Sequence, residues 1–411
     1  MKRTSRDIRT ANRYAVLRHL IARSPASRGE LAAATGLSQA TVATLVGELT
    51  ALGLLVEVGF EESAGGRPRS LVAVDAAGGA LIGVDVAETY VHAELFDLAL
   101  AVVARAEEEL RPGESSPEEV VGRIAAAVGA VVAAADACRP PRVLGVGVTM
   151  PGQVDRERGV AVRAANWGWR DVPLTALLGE RLPYPVHLDN PLRAATVAEL
   201  WFGAARGRDD AVVINLGTGV GAGLALGGAL HRGVTNSAGE WGHTTLVLDG
   251  RPCRCGDTGC VEAYVGAPAI MRTLRELAPD SALSTDEDQT ATIGALGRAA
   301  AGGDPAALRV VRETARHLGA AVADLVNLLN PEVIVLSSWV ASALGTPLLT
   351  EVREAVARHA LGSPFGATEI VLSPIPTDPV SLGAATFALE GVLSSPGLTG
   401  TTGTTLTPRT T

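Results

Sequence analysis

The hydrophobic positions of this chain change period twice. Over residues 12–23, Ala15, Val16, Leu17, Leu20 and Ile21 recur at helical spacing and predict an amphipathic helix, which Pro25 ends. Ser27 is placed to cap a second, short helix through Ala34, and Gly36 supplies a tight turn. Ser38 can cap a third helix, with Val42, Leu45, Val46, Leu49 and Leu52 as its buried positions. After Gly53 the pattern becomes extended in Leu54–Val58 and Ser70–Val74, with Gly65-Gly66-Arg67-Pro68-Arg69 near the tip between them. Helix, turn, helix and a two-stranded wing predict a winged helix-turn-helix over residues 1–75.

From Ala80 onward, strands and helices alternate. Ala80–Val86 and Val91–Phe96 read as paired strands, Glu118–Ala135 as a helix and Val143–Thr149 as a buried strand. The set repeats after residue 210, with strands at Ala211–Leu216 and Gly221–Leu226, a helix at Pro305–Leu329 and a strand at Val333–Leu336. Two such halves, about 80–190 and 191–393, predict an α/β body of two lobes with a ligand cleft between them. The Thr-, Gly- and Pro-rich stretch 394–411 lacks an apolar period and reads as a disordered tail.

Composition adds a compartment and a charge asymmetry. Apolar residues make up 47% and charged residues 19% of the 411 positions, a globular balance. No apolar run is long enough to span a bilayer, and the basic amino terminus is no signal peptide, so a cytoplasmic protein is expected. Residues 1–50 hold eight basic side chains against three acids, a net of +5, whereas the whole chain carries −9. A basic head on an acidic body suits a small domain for double-stranded DNA joined to something else. On the third helix, Ser38, Gln39, Thr41 and Thr44 are the candidates for the major groove, where Gln pairs with an adenine edge and a Thr methyl touches thymine. Arg67 and Arg69 are the wing's candidates for phosphate or minor-groove contacts. The competing reading is a small helical bundle with an incidental basic surface. Winged heads generally read two half-sites, so a homodimer or homotetramer is expected.

Three of the four cysteines, Cys253, Cys255 and Cys260, fall within eight positions, just after His243. One imidazole and three thiolates make a four-coordinate Zn²⁺ site with no open position, hence a structural one. The run Cys253-Arg254-Cys255-Gly256-Asp257-Thr258-Gly259-Cys260-Val261-Glu262, preceded by Glu240-Trp241-Gly242-His243, resembles the signature of the ROK family of repressors, open reading frames and sugar kinases. Asn166-Trp167-Gly168-Trp169 and the Gly-rich stretch 216–223 add to the likeness, which extends over about residues 12–392. The resemblance implies an actin-like, hexokinase-type two-lobed domain over 80–393, with the zinc motif its most specific feature. It also implies that Asn166, Asn190, Glu240, His243 and Glu262 hold sugar hydroxyls. Such hydroxyls donate and accept together, so carboxylates, amides and an imidazole can satisfy them in pairs. Trp167 or Trp169 is suited to stack on a sugar face or to pack in the core.

Against the same family's kinases, three positions depart. The Asn-Asp pair that starts a helix there reads Asn190-Pro191 here, so the position of the proton-accepting Asp holds a proline. Asp189 stands one residue away and in an extended segment would point elsewhere. The first phosphate turn reads Asp85-Val86-Ala87-Glu88-Thr89 rather than a glycine pair, and Ser337-Ser338-Trp339 replaces a Gly-rich turn near the adenine end. Apart from Lys2 there is no lysine; Arg170 and Arg193 are available to a phosphate, although arginines at such places are generally just solvated. These features predict a sugar- or sugar-phosphate-responsive DNA-binding regulator, most simply a repressor of carbohydrate genes, whose kinase machinery is degenerate. An ATP-dependent sugar kinase with a fused DNA-binding head and a constitutive DNA-binding scaffold remain open at this point.

Overall fold

A computed structural model of the chain describes residues 5–60, 68–111, 116–135, 142–164, 167–285, 288–375 and 378–394. It divides into two compact units: Met1–Val148, Leu174–Leu188 and Ala384–Thr411 form the first, and Thr149–Pro173 with Asp189–Gly383 the second.

Unit 1 opens with the head: α1 (Ser5–Ala22), β1 (Ala26–Ser27), α2 (Arg28–Thr35), α3 (Gln39–Ala51), β2 (Leu55–Phe60) and β3 (Ser70–Val74). Ser27 and Glu30 form a reciprocal capping box, the Glu30 amide donating to Ser27 Oγ and the Ser27 amide to Glu30 Oε2. Ser38 Oγ accepts from the Thr41 amide at the start of α3, as the sequence predicts. Val16, Leu17, Leu20, Leu31, Val42, Leu45, Val46 and Leu49 close the three-helix core, whereas Leu52 stands at the C-cap of α3 and is half-buried. β3 pairs with both β1 and β2, completing the winged arrangement. Helix α1 starts seven residues before the apolar period does. Its early turns are polar, and Arg9 and Arg13 secure them by pairing with Glu48 of α3.

The body follows with β4 (Ala80–Val86), β5 (Tyr90–Asp97), β6 (Val102–Glu109), α4 (Pro117–Ala135) and β7 (Val143–Thr149). A small sheet of β8 (Gln153–Asp155), β9 (Val160–Ala164) and β10 (Trp169–Val172) comes next, then α5 (Leu174–Gly179), β11 (Val186–Asp189) and α6 (Pro191–Phe202). Unit 2 continues through β12 (Ala211–Leu216), β13 (Val220–Leu226), β14 (Ala229–His231), α7 (Glu262–Val265), α8 (Ala267–Leu277), α9 (Gln289–Ala301) and α10 (Pro305–Leu329). It ends with β15 (Val333–Ser337), α11 (Ser338–His359), α12 (Gly362–Ala367) and β16 (Glu369–Leu372) before α13 (Pro379–Ser394), which from Ala384 belongs to unit 1.

The two five-stranded sheets run β11-β7-β4-β5-β6 and β14-β13-β12-β15-β16. Within each, the first three strands form a meander and the fourth and fifth add beside the first, so both sheets have the same internal order. That is the repeat the hydrophobic pattern predicts. β12, β15 and β16 pair in parallel; β12 and β15 are almost wholly buried, with α11 packed on the strands and α6 on β12, whereas the edge strand β16 buries only Ile370 fully. Most predicted elements match to within a residue, and α10 coincides with its forecast. The predicted tail beyond Ser394, the wing tip Gly65-Gly66-Arg67 and Asn166 lie outside the described residues.

Candidate functional site

On the head, α3 exposes Gln39, Ala40, Ala43, Thr44 and Gly47, and its first turn is free of acidic side chains. Gln39 and Thr44 therefore face outward, Thr44 with its hydroxyl donating back to the Ala40 carbonyl. Thr41 is half-buried and shares its hydroxyl with Ser38, so both serve the cap before any base. Arg69 is exposed at the base of the wing. Arg9, Arg13 and Arg28 are engaged with Glu48 and Glu57 and meet a phosphate only by giving up those pairs.

The metal candidates come together in unit 2. The donor atoms of His243, Cys253, Cys255 and Cys260 all lie within 4.8 Å of one another. Cys253 Sγ is 3.7 Å from His243 Nδ1, and Cys255 Sγ is 3.7 Å from Cys260 Sγ. A tetrahedron with Zn–S bonds of about 2.3 Å has edges of about 3.8 Å, so these spacings fit a single four-coordinate ion. Burial and the neighbouring thiols push Cys260 up to about 12. Three such sulfurs become thiolates together only opposite a cation. The loop that carries them is a short irregular hairpin, with Thr245 bridged to Cys260 and Pro252 to Thr258. Behind it, a group that sequence reasoning misses anchors the loop: Tyr264 stacks on His317 with centroids 4.7 Å apart, and the Arg251 guanidinium lies 5.1 Å over the Tyr264 ring. Arg251 also pairs with Glu276 of α8 at 2.7 Å, and its amide donates to the Tyr264 hydroxyl.

Beside the thiols stand the predicted sugar ligands of unit 2. The short helical turn Glu240–His243 lies so close to β13 that only glycine fits at two positions. A Cβ on Gly239 would meet the Ala222 carbonyl at 1.9 Å, and one on Gly242 the Val220 carbonyl at the same distance; Gly239 also takes φ +101°. This approach sets Glu240 and His243 in one turn, within electrostatic reach of Glu262 and Arg193. Glu240 as a residue is exposed, yet partial burial of its carboxyl and the charge of Glu262 raise its pKa against the pull of His243 and Arg193. Glu262 accepts from the Val220 amide at 3.0 Å and lies 3.8 Å from Arg254. Asn190 caps α6, its Oδ1 accepting from Leu192 while its Nδ2 donates to the Gly152 carbonyl. One amide proton is left for a ligand. Trp167 and Trp169 pack 5.0 Å apart with Trp169 buried, which is core packing for that ring.

The kinase-like positions are filled differently. Pro191 occupies the first turn of α6, where its fixed φ and missing N–H suit a helix start. Asp189 is fully buried and accepts from Arg232 at 2.6 Å and from the Asn190 amide. In the Gly-rich turn after β12, the Gly217 amide donates to the Gly219 carbonyl, and the Val220 amide is held by Glu262. The Trp339 indole nitrogen stands 3.2 Å from where a Cβ on Gly217 would lie, so the ring closes over this turn. Ser338, which precedes it, takes φ +77°, a left-handed conformation that costs a side-chain-bearing residue on the order of 1–3 kcal/mol. Ser338→Gly is expected to raise stability by about 1 kcal/mol, net of the greater freedom of glycine in the unfolded chain. A midpoint of chemical unfolding that stays put or falls would show that the backbone there is unstrained.

Comparison with known proteins places these features. A model described as the ROK family matches residues 81–390, and one described as the MarR family matches residues 9–67. A xylose repressor of Caldicellulosiruptor bescii is 29% identical over 393 residues, covering 95% of this chain and 98% of its own length. Among solved structures, a ROK family transcriptional regulator, a homologue of the E. coli MLC protein, superposes with a TM-score of 0.79 at 25% identity, over 94% of this chain and 98% of its own. A ROK family glucokinase from Streptomyces griseus, in complex with glucose and AMPPNP, reaches a TM-score of 0.65 at 30% identity, over 76% of this chain and 100% of its own.

Proposed function

The chain belongs to the ROK family, and from that membership we propose that it is a repressor of carbohydrate genes, its head binding a DNA operator and its unit 2 binding the sugar that sets DNA affinity. Coverage carries the reading: repressors align with head and body together, whereas the glucokinase aligns over 76% of the chain, all of its own length. The body alone is common to both; the head belongs to the regulators. Cytoplasmic location follows from an operator as partner, and none of the described helices is long and apolar enough to cross a membrane. Reading two half-sites calls for at least a homodimer.

In this proposal Zn²⁺ is held by His243, Cys253, Cys255 and Cys260 and is structural. Bound there, the ion crosslinks the Glu240–His243 turn to the cysteine hairpin. His243 ligates through Nδ1 and leaves Nε2 to a sugar hydroxyl, its ring orientation fixed by the metal. Glu240, Glu262, Asn190 and Asn166 supply the remaining acceptors and donors. Gln39, Thr41 and Thr44, oriented through the Ser38 cap, and Arg67 with Arg69 make the operator contacts.

Loss of phosphoryl transfer belongs to the same proposal. The base position is Pro191, Asp189 is committed to Arg232 and the Asn190 amide, and the Gly217 turn uses its own amides and carries Trp339. Each is a part that phosphoryl transfer needs free.

The test is fluorescence anisotropy of the full chain on its upstream DNA at fixed salt, titrated with a sugar panel. The effector is expected to shift DNA affinity by about 5- to 150-fold, the usual range of coupling between two sites. Glu240→Ala and Glu262→Ala are each expected to reduce that shift below about twofold while DNA affinity without sugar is kept. A Glu262→Ala protein that responds like wild type removes the site from this proposal. Sugar-dependent, Mg²⁺-requiring ADP release would instead favour the kinase.

A further inference from the structure

Arg193 is the position where the structure departs most from expectation. It lies on the first turn of α6, next to the capping Asn190, and only 3% of it is exposed. Its Nη2 donates to the Asn236 carbonyl, but Nε and Nη1 are fully buried and make no hydrogen bond. The nearest carboxylate, Asp189, is 3.6 Å from Nη1, beyond hydrogen-bond length. Asp189 directs its bonds elsewhere, to the Asn190 amide and to Arg232. Arg232 itself reaches the Asn236 side chain at 3.2 Å, so Asn236 and Asp189 link the two guanidiniums. Glu240 is within electrostatic range of Arg193, which brings that guanidinium into the neighbourhood of the proposed sugar ligands.

A buried charged donor with unmade hydrogen bonds is costly, and a guanidinium is a donor only. A sugar hydroxyl brings one acceptor and a proton that needs an acceptor of its own. A carboxylate or phosphate brings two or more oxygens that only accept, in the fork geometry that arginine matches. With a single lysine in the whole chain, at position 2, recognition of an oxyanion in unit 2 falls to arginine.

We propose that the effector carries an oxyanion, as a sugar acid or a phosphorylated sugar, and that Arg193, supported by Arg232 through Asp189 and Asn236, selects it over the neutral parent sugar. The inference rests on the reading of unit 2 as the sugar site and deepens it. Arg193 is thus a specificity determinant. The xylose repressor relative, similar over 95% of this chain, makes neutral xylose the natural competitor.

The experiment is titration calorimetry on the full-length, zinc-loaded chain at constant ionic strength. The probes are glucose, glucuronate and glucose 6-phosphate, then xylose, xylonate and xylose 5-phosphate, with inorganic phosphate alone as control. One oxyanion member is expected to bind at least about tenfold tighter than its neutral parent, as charge-assisted bonds to arginine do. Preference for the acid or for the phosphate ester identifies the source of the oxyanion, and either supports the proposal. Arg193→Gln is expected to bring both members within about twofold of each other, with the neutral sugar little changed. If that variant fails to fold, Arg232→Gln, at a quarter-exposed position, is expected to narrow the same gap. Neutral sugars binding as well as their oxyanion partners would overturn the inference and leave the sugar site standing. A preference untouched by either substitution, or inorganic phosphate matching the sugar phosphate, would overturn it too. Binding of none of the probes would take down the sugar reading along with it.

Discussion

Cys260→Ser is expected to cost the protein its metal, on the order of 10 °C in melting temperature, and its sugar response. Cys260 is fully buried and stands 3.7 Å from Cys255 at the closed end of the four-ligand group. A serine hydroxyl does not ionise to replace the thiolate, and a structural zinc site contributes its binding free energy directly to the fold. A loss of roughly 3–5 kcal/mol, spread over a domain of this size, corresponds to that melting shift. His243 is both a metal ligand and a turn-mate of Glu240, and Glu262 follows Cys260 by two residues, so the sugar ligands should lose their positions together. The head shares none of these residues, and its DNA affinity should persist. The wild-type metal should also leave as pH falls: burial raises the Cys260 pKa to about 12, so binding expels protons and acid reverses it. Metal content by atomic absorption and a calorimetric scan decide the point. One equivalent of zinc retained in Cys260→Ser, with an unchanged melting point, would defeat the assignment.

What the sequence shows well is what is local. The metal ligands lie within eighteen positions of one another, and the caps at Ser27 and Ser38 act on amides three residues on. The parallel strands β12 and β15 are nearly continuous apolar runs, interrupted only by Asn215 and the terminal Ser337, because both faces are covered, and α10 has an apolar stripe along its length. What it hides depends on contacts made at a distance. Arg193 looks like a solvated helix residue because Asn236, which bonds it, lies 43 positions away. Asn190 reads as a free amide until Gly152 takes its Nδ2. Asp189 reads as a displaced base until Arg232 holds it. The two latter cases bear on function, since they decide how much of the kinase-like apparatus is left to a substrate. The anchoring of the cysteine hairpin through Tyr264 and His317 is likewise invisible, as those residues sit 53 apart on different helices.

The same distance effect alters the charge count of the head, and it yields the second large expected effect. Glu48→Ala is expected to loosen the head by about 2–4 kcal/mol, because it strands Arg13 in the interior. Arg13 is 4% exposed and donates to Glu48 Oε2 from Nε at 3.1 Å and from Nη2 at 2.7 Å; its Nη1 reaches the Leu393 carbonyl of α13 at 3.4 Å. Arg9 bonds the other Glu48 oxygen. Arg13→Met should cost less, about 1 kcal/mol, since it removes the buried charge along with the pair and keeps the packed stem. The double variant should accordingly be more stable than Glu48→Ala alone. Acidity separates this from simple packing. Burial pushes the Glu48 carboxyl up, but Arg9 and Arg13 outweigh it and hold the group below its ordinary value. Its contribution is therefore present above the unfolded pKa and is lost as pH falls through the lower folded value, so the gap between wild type and Glu48→Ala should close below about pH 4. Because the chain has two units, local amide exchange in α1 and α3 is the right measure, with protection expected to fall about a hundredfold at neutral pH. Unchanged exchange there would mean that Arg13 is solvated after all.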